Sequence, residues 1–329
     1  MLRILVLGAA AGGGFPQWNC NCPACRRARS GDENAPPAHQ ASVAVTGDGE
    51  NWFVLNAAPD LRQQIAENPQ LHPQHGLRHS PVAGVIVTNG DIDATAGLLN
   101  LREGTPLSVY AHERVLRVIK ANSVFNVLNP QIVPRRELPL EREVPLLLAD
   151  GAPSGLTVKA FAVPGKVALY LEDTNKEGFG SEVGDTVGLH IREESGGPGF
   201  FFISSCARMT PEIAERLKGA ALVFFDGTLW SDDEMIKSGM SKKTGARMGH
   251  MSMTGENGTI AAFRNLNVAR KVFIHINNSN PALLRDSRER AELEAAGWEI
   301  LADGTEITVG GASAKGADKP RTAVSAGAR

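Results

Sequence analysis

Apolar residues in this chain gather in short runs, each stopped by glycine, proline or a polar cluster. That pattern reads as buried strands separated by brief helices. Residues 2–7 predict a first strand, followed by a glycine turn over 9–14. Residues 41–46 and 51–56 predict a hairpin closed by Gly47-Asp48-Gly49. Further strands are expected over 82–88, 107–111, 156–163, 167–171, 186–191, 200–204, 221–225, 271–274 and 306–309. Helices are expected over 60–67, 94–101, 112–120, 211–218, 258–265 and 284–296. Two halves, each β-rich and then mixed, predict an α/β fold in four layers, an αββα sandwich. No short-period repeat interrupts it. From Gly310 the chain is Gly, Ala, Ser, Lys and Arg with little apolar content. The expectation is one domain over 1–309 and a disordered tail over 310–329.

With 329 residues, 42% of them apolar, the chain can build a sizeable core. A formal charge of −2 gives no electrostatic case for nucleic acid or an anionic membrane as partner. The apolar run at the N-terminus is too short for a signal peptide, and no run approaches the ~20 residues of a membrane span. A soluble, cytoplasmic protein is expected.

Cysteine usage adds a metal to this picture. Three of the four cysteines, Cys20, Cys22 and Cys25, stand as C-x-C-x-x-C in Asn19-Cys20-Asn21-Cys22-Pro23-Ala24-Cys25. Thiolates this close can converge on one soft ion such as Zn²⁺. Unliganded thiols are the alternative, disfavoured because such a turn invites oxidation. The fourth ligand has to come from elsewhere. Gly8 to Gly14 is no dinucleotide loop, because the cysteine run interrupts where its helix should start.

Strand ends supply a second set of candidates. Asp91 and Asp93 follow the strand at 82–88, Asp226 ends the run at 221–225, and His275 ends the run at 271–274. Strand ends face the crevice in which α/β sheets bind ligands. Asp91 or Asp93 as a helix N-cap, Asp226 as a turn residue and His275 as a core histidine are the plain alternatives. Ligand types at three separate strand ends favour a metal site built from Asp93, Asp226 and His275. His250, in Gly249-His250-Met251, reads as an acid/base, a ligand or a surface residue. Cys206, just past a strand, is a small buried hydrophobe or a site residue. His72, His75 and His79, in a loop rich in Pro and Gln, read as solvated.

In this order the pieces resemble the metallo-β-lactamase superfamily, in particular its phosphodiesterase branch with a Cys-rich structural zinc loop. Its first metal motif is T-H-x-H-x-D-H-x-x-G. Here Thr88, Asp93 and Gly97 match, while Asn89, Asp91 and Ala94 stand where histidines would be. Pro164-Gly165 follows the strand after which a further histidine is expected, and His275 matches the last one. A dizinc hydrolase needs about four histidines and a bridging carboxylate. The set that remains suits one Fe²⁺ or Mn²⁺ ion better, following the logic of non-haem iron oxygenases.

Five motifs narrow the resemblance: the cysteine run, Gly97-Leu98-Leu99-Asn100-Leu101-Arg102-Glu103-Gly104, Phe225-Asp226-Gly227-Thr228-Leu229-Trp230, Met248-Gly249-His250-Met251 and Ile274-His275-Ile276-Asn277-Asn278. Together, across about residues 1–309, they resemble the family of coenzyme PQQ synthesis protein B. The resemblance implies a role in pyrroloquinoline quinone (PQQ) biosynthesis, as an iron- and O₂-dependent hydroxylase of the tyrosine ring in a cross-linked Glu–Tyr precursor. A carrier that helps move the quinone or its precursor to the periplasm is the alternative, and a hydrolase a third. The enzyme reading implies Fe²⁺ on Asp93, Asp226 and His275, with His250, Asp91 and Cys206 as catalytic or supporting groups. Arg102, Arg208 and Lys166 are candidates for holding substrate carboxylates. Structural Zn²⁺ falls to Cys20, Cys22 and Cys25, with Asn278 standing where relatives place a fourth, histidine ligand. Other enzymes of the pathway are the implied partners, and a homodimer is left open.

Overall fold

Strands whose residues are buried along their whole length can only lie in the middle of a layered fold, and Leu222–Asp226 and Val82–Val87 are of this kind. A computed structural model of the chain describes residues 1–309; the tail expected over 310–329 lies outside the described residues. Its strands form two seven-stranded sheets among the described residues. The first sheet contains β1 (Leu2–Gly8), β2 (Ser42–Thr46), β3 (Trp52–Leu55), β4 (Val82–Val87), β5 (Ser108–Ala111) and β6 (Arg135–Glu137). The second contains β7 (Glu143–Leu147), β8 (Pro153–Ala162), β9 (Val187–Glu193), β10 (Phe200–Ile203), β11 (Leu222–Asp226), β12 (Lys271–Ile274) and β13 (Trp298–Glu299). The last strand, β14 (Glu306–Val309), returns to pair with β1.

Phe53, Tyr110, Leu189, Phe202 and Phe224 fill the space between the sheets. Truncating a buried ring such as Phe224 to alanine is expected to cost about 3–5 kcal/mol. Helices Leu61–Glu67 and Glu113–Ala121 cover the outer face of the first sheet through Leu61, Val115 and Ile119. Helices Pro211–Leu217 and Arg288–Ala295 cover the second through Ile213, Leu217 and Leu293. The result is the expected αββα sandwich. No helix among the described residues is long and apolar enough to cross a membrane.

Several expected elements differ. The strand expected over 167–171 is instead a loop with one 3-10 turn, Leu169–Leu171, whose side chains face outward. The helix expected over 94–101 is one α-turn, Ile92–Thr95, continued as a 3-10 helix. Gly97 in this 3-10 helix permits a close backbone approach, since a Cβ there would stand 2.1 Å from the Ala58 carbonyl oxygen. The helix expected over 284–296 begins only at Arg288, capped by the Ser287 hydroxyl, because Pro281 opens a separate 3-10 turn. Helix Pro23–Arg29, which the apolar pattern does not announce, starts inside the cysteine run. Strand β7 contains Pro145 and so reads poorly as a strand, yet it sits at a sheet edge, where a missing N–H is tolerated.

Candidate metal centres

Strands β3 to β6 run parallel, as do β10 to β13. Their carboxyl ends therefore open onto a common rim. Asp226 closes β11, His275 follows β12, and Asp93 lies in the first turn of the helix after β4. The N-terminal loop reaches the same place, since Ala11 N–H donates to the Ile276 carbonyl.

These residues meet. His275 Nε2 lies 2.7 Å from Asp93 Oδ2, and His250 Nδ1 lies 2.7 Å from Asp226 Oδ2. The two imidazoles stack with ring centres 5.0 Å apart. Ligand atoms of Asp226, His250 and His275 all fall within 4.8 Å of one another. Adjacent ligands of an ion held at about 2.1 Å stand about 3 Å apart, so this spacing fits a single metal ion. The donor set of imidazoles and carboxylates suits Fe²⁺, Mn²⁺ or Zn²⁺.

Thr228 organises the group. Its hydroxyl lies 2.7 Å from Asp226 Oδ1, 3.0 Å from His250 Nδ1 and 2.9 Å from His275 Nδ1. The Cys206 backbone N–H donates to Asp226 Oδ2 at 2.8 Å. His275 holds the left-handed backbone region with φ 60°, a conformation costing a non-glycine residue on the order of 1 kcal/mol. Gly249, at φ 89°, ends the short helix Gly245–Met248 and turns the next residue, His250, into the site.

Burial pushes the Asp93 carboxyl up, but the hydrogen bond and charge of His275 outweigh it and hold it below the usual carboxylate range. The same pair works on His275, where burial opposes the charge and Asp93 raises it. Asp91 is raised by burial and by the nearby Asp93 charge. It takes the N-cap position of helix Ile92–Thr95 without capping it, and its Oδ1 accepts the Leu169 N–H at 3.0 Å instead.

Cys206 reaches the site only through its backbone. Its thiol donates to the Arg208 carbonyl, sits in the outer apolar layer and is pushed up to about 12 by burial. Arg102 is exposed and bonds the Leu99 carbonyl. Lys166 is largely buried against Glu172. His72, His75 and His79 sit on a partly to fully exposed loop, away from these ligands. Thr228 escaped the sequence reading; its position two residues after Asp226 was the available signal.

The thiols form the second centre. The Sγ atoms of Cys20, Cys22 and Cys25 lie within 4.8 Å of one another. A tetrahedral zinc site with bonds of about 2.3 Å needs sulfurs about 3.8 Å apart. Cys22 caps helix Pro23–Arg29 by accepting the Cys25 N–H, so the helix start faces the sulfurs. Asn278 is buried beside them, with its side-chain Nδ2 3.5 Å from Cys25 Sγ and its backbone carbonyl oxygen 3.9 Å from Cys22 Sγ. Met240 Sδ stands 3.9 Å from Cys20 Sγ. Three sulfurs with an amide at the open side suit zinc.

The fold and the strand-end ligands define a protein of the metallo-β-lactamase class, and the model of the beta-lactamase superfamily domain matches residues 51–276. The chain is 56% identical over 310 residues to coenzyme PQQ synthesis protein B of Rhodopseudomonas palustris, covering 94% of this chain and 100% of that one. It is 57% identical over 311 residues to the protein of that name from Bradyrhizobium diazoefficiens, again over 94% and 100%. The crystal structure of Zn²⁺-bound PqqB from Methylobacterium extorquens superposes with a TM-score of 0.88 at 47% identity, over 93% of this chain and 100% of that one. This chain belongs to the coenzyme PQQ synthesis protein B family.

Proposed function

We propose that the chain acts in PQQ biosynthesis as an iron- and O₂-dependent hydroxylase of the tyrosine ring in a cross-linked Glu–Tyr intermediate. The observation that carries this reading is the ligand set: two imidazoles and one carboxylate, His250, His275 and Asp226, gather closely enough for one ion, with Asp93 bonded to His275 beside them, and the described residues offer no histidine-rich pair of sites such as a dizinc hydrolase requires. Family membership supports the pathway.

Asp226 and His275 would hold the iron, with Asp93, bonded to His275 Nε2, as the further carboxylate of the set. Bound Fe²⁺ would supply the activation of O₂ toward the phenol ring. The remaining groups handle position and protons. Asp226, with the Cys206 N–H and the Thr228 hydroxyl, fixes His250 through its Nδ1. That bond leaves His250 Nε2 as the basic nitrogen, able to take the phenol proton. Asp91, raised by burial, is suited to return a proton. The thiol centre serves architecture: zinc there would pin helix Pro23–Arg29 to the segment after His275.

Oxygen uptake with a cross-linked Glu–Tyr peptide, added Fe²⁺ and a two-electron reductant such as ascorbate, which supplies the electrons that take the second oxygen atom to water, tests the reading. Uptake matched by a hydroxylated peptide is expected. Binding without uptake or product would favour the carrier role instead.

A further inference from the structure

Residues 164–185 leave the second sheet between β8 and β9 and pass over the Asp–His pocket. This strap is fastened at the pocket itself: Leu169 N–H bonds Asp91, and the Tyr170 hydroxyl donates to the Gly90 carbonyl at 2.8 Å. It turns Glu172 inward. The Glu172 side chain is only 7% exposed and bridges two cations, Lys166 through Oε1 and Arg247 through Oε2 at 2.9 Å.

Both cations border the pocket. Arg247 lies on the short helix that ends at Gly249, three residues before His250. Lys166 packs against that same turn, with its Cβ 3.1 Å from where a Gly249 side chain would begin. The guanidinium carbon lies 3.6 Å over the centre of the Phe179 ring. A guanidinium fork matches a carboxylate with two nitrogens. Glu172 uses only one of them, and Arg247 Nη1 is buried with no hydrogen-bond partner among the described residues. Such an orphan donor carries a free-energy cost and marks a missing acceptor. Beside it the strap exposes three consecutive apolar residues, Leu169, Tyr170 and Leu171.

The geometry points to a carboxylate-binding pocket formed by Lys166 and Arg247, with Glu172 as its resident stand-in and an aromatic polycarboxylate as its ligand. The ligand carboxylate displaces Glu172, engages both nitrogens of Arg247, and lays its ring against residues 169–171. That this ligand is the substrate rests on the function proposed above; the pocket itself does not.

Isothermal titration of the purified metal-containing protein with benzene-1,3,5-tricarboxylate, without O₂ or turnover, tests it. Any coordination of the probe by metal is common to all variants, so their differences report on the pocket. Glu172→Gln is expected to bind about tenfold more tightly than wild type, because the internal competitor is gone. Adding Arg247→Gln to that variant should remove the gain. Glu177→Gln, an exposed change on the same strap, should alter nothing. The proposal fails if Glu172→Gln binds no tighter, if the double variant keeps the gain, or if Glu177→Gln matches it. Should Glu172→Gln not fold, Glu172→Asp, whose shorter arm withdraws from Arg247, must show a gain in the same direction. Lost oxygen uptake with this binding pattern intact would count against the hydroxylase alone.

Discussion

The two centres are built in opposite ways. The thiol centre takes three ligands from six consecutive residues and sets them at the start of one helix. The Asp–His centre draws on residues from 93 to 275, carried by both sheets. Soft sulfurs on one turn need little besides the turn. Hard carboxylates and imidazoles, buried together, need a network that fixes each lone pair, and Thr228 and the Cys206 N–H supply it. One design suits a metal that holds structure, the other a metal that meets substrate.

The sharpest way to break this contrast is to remove one ligand from each centre. His275→Ala should lower iron-dependent product formation by more than about 100-fold while leaving the zinc content unchanged. Metal analysis and oxygen uptake on the same preparation check it, and lost zinc would mean that the centres are not independent. Cys22→Ser should do the reverse: about one zinc equivalent lost and a melting temperature lower by several degrees, with any iron bound by folded protein unchanged. Thermal melting alongside metal analysis reads this. Thr228→Val probes the network without touching a ligand. It should reduce turnover about 10- to 100-fold and cost about 1–3 kcal/mol, since Asp226 and two imidazoles lose a shared partner. Full turnover would show that the ligands hold themselves.

The smallest effect concerns the ion cluster beside the pocket. Arg247, and then Lys166, hold the Glu172 carboxyl down at about 2, against 4.5 for an ordinary glutamate. A depressed carboxyl stabilises the fold fully above its unfolded value and loses that contribution as pH falls toward the folded one. Wild type should therefore melt about 2–4 °C above Glu172→Gln at pH 6, with the gap closing between pH 4.5 and pH 2. A gap that persists at pH 2 would assign it to packing.

Legibility followed locality. Buried strands such as β4, β11 and β12 are continuous apolar runs, so the sequence announces them, and their polar ends marked Asp93, Asp226 and His275. Residues 167–171 carry the same apolar signature but find no sheet neighbour and form a strap. That position 97 must be glycine follows only from the Ala58 backbone packed against it. Glu172 and Arg247 gave no signal, being ordinary charged residues 75 positions apart.

From its order of residues alone, this chain determined the layered sandwich, the thiol cluster and the polar residues that stand at the strand ends. Those properties follow from periodicity and short spacing, which any stretch of chain carries within itself. Tertiary structure alone decided that Thr228 stands between Asp226 and two histidines, that Cys206 contributes an amide and keeps its thiol in the core, and that Glu172 fills a cationic pocket. Each depends on the angle at which distant backbones arrive, and hydrogen bonds distinguish angles and tenths of an ångström that no linear pattern encodes.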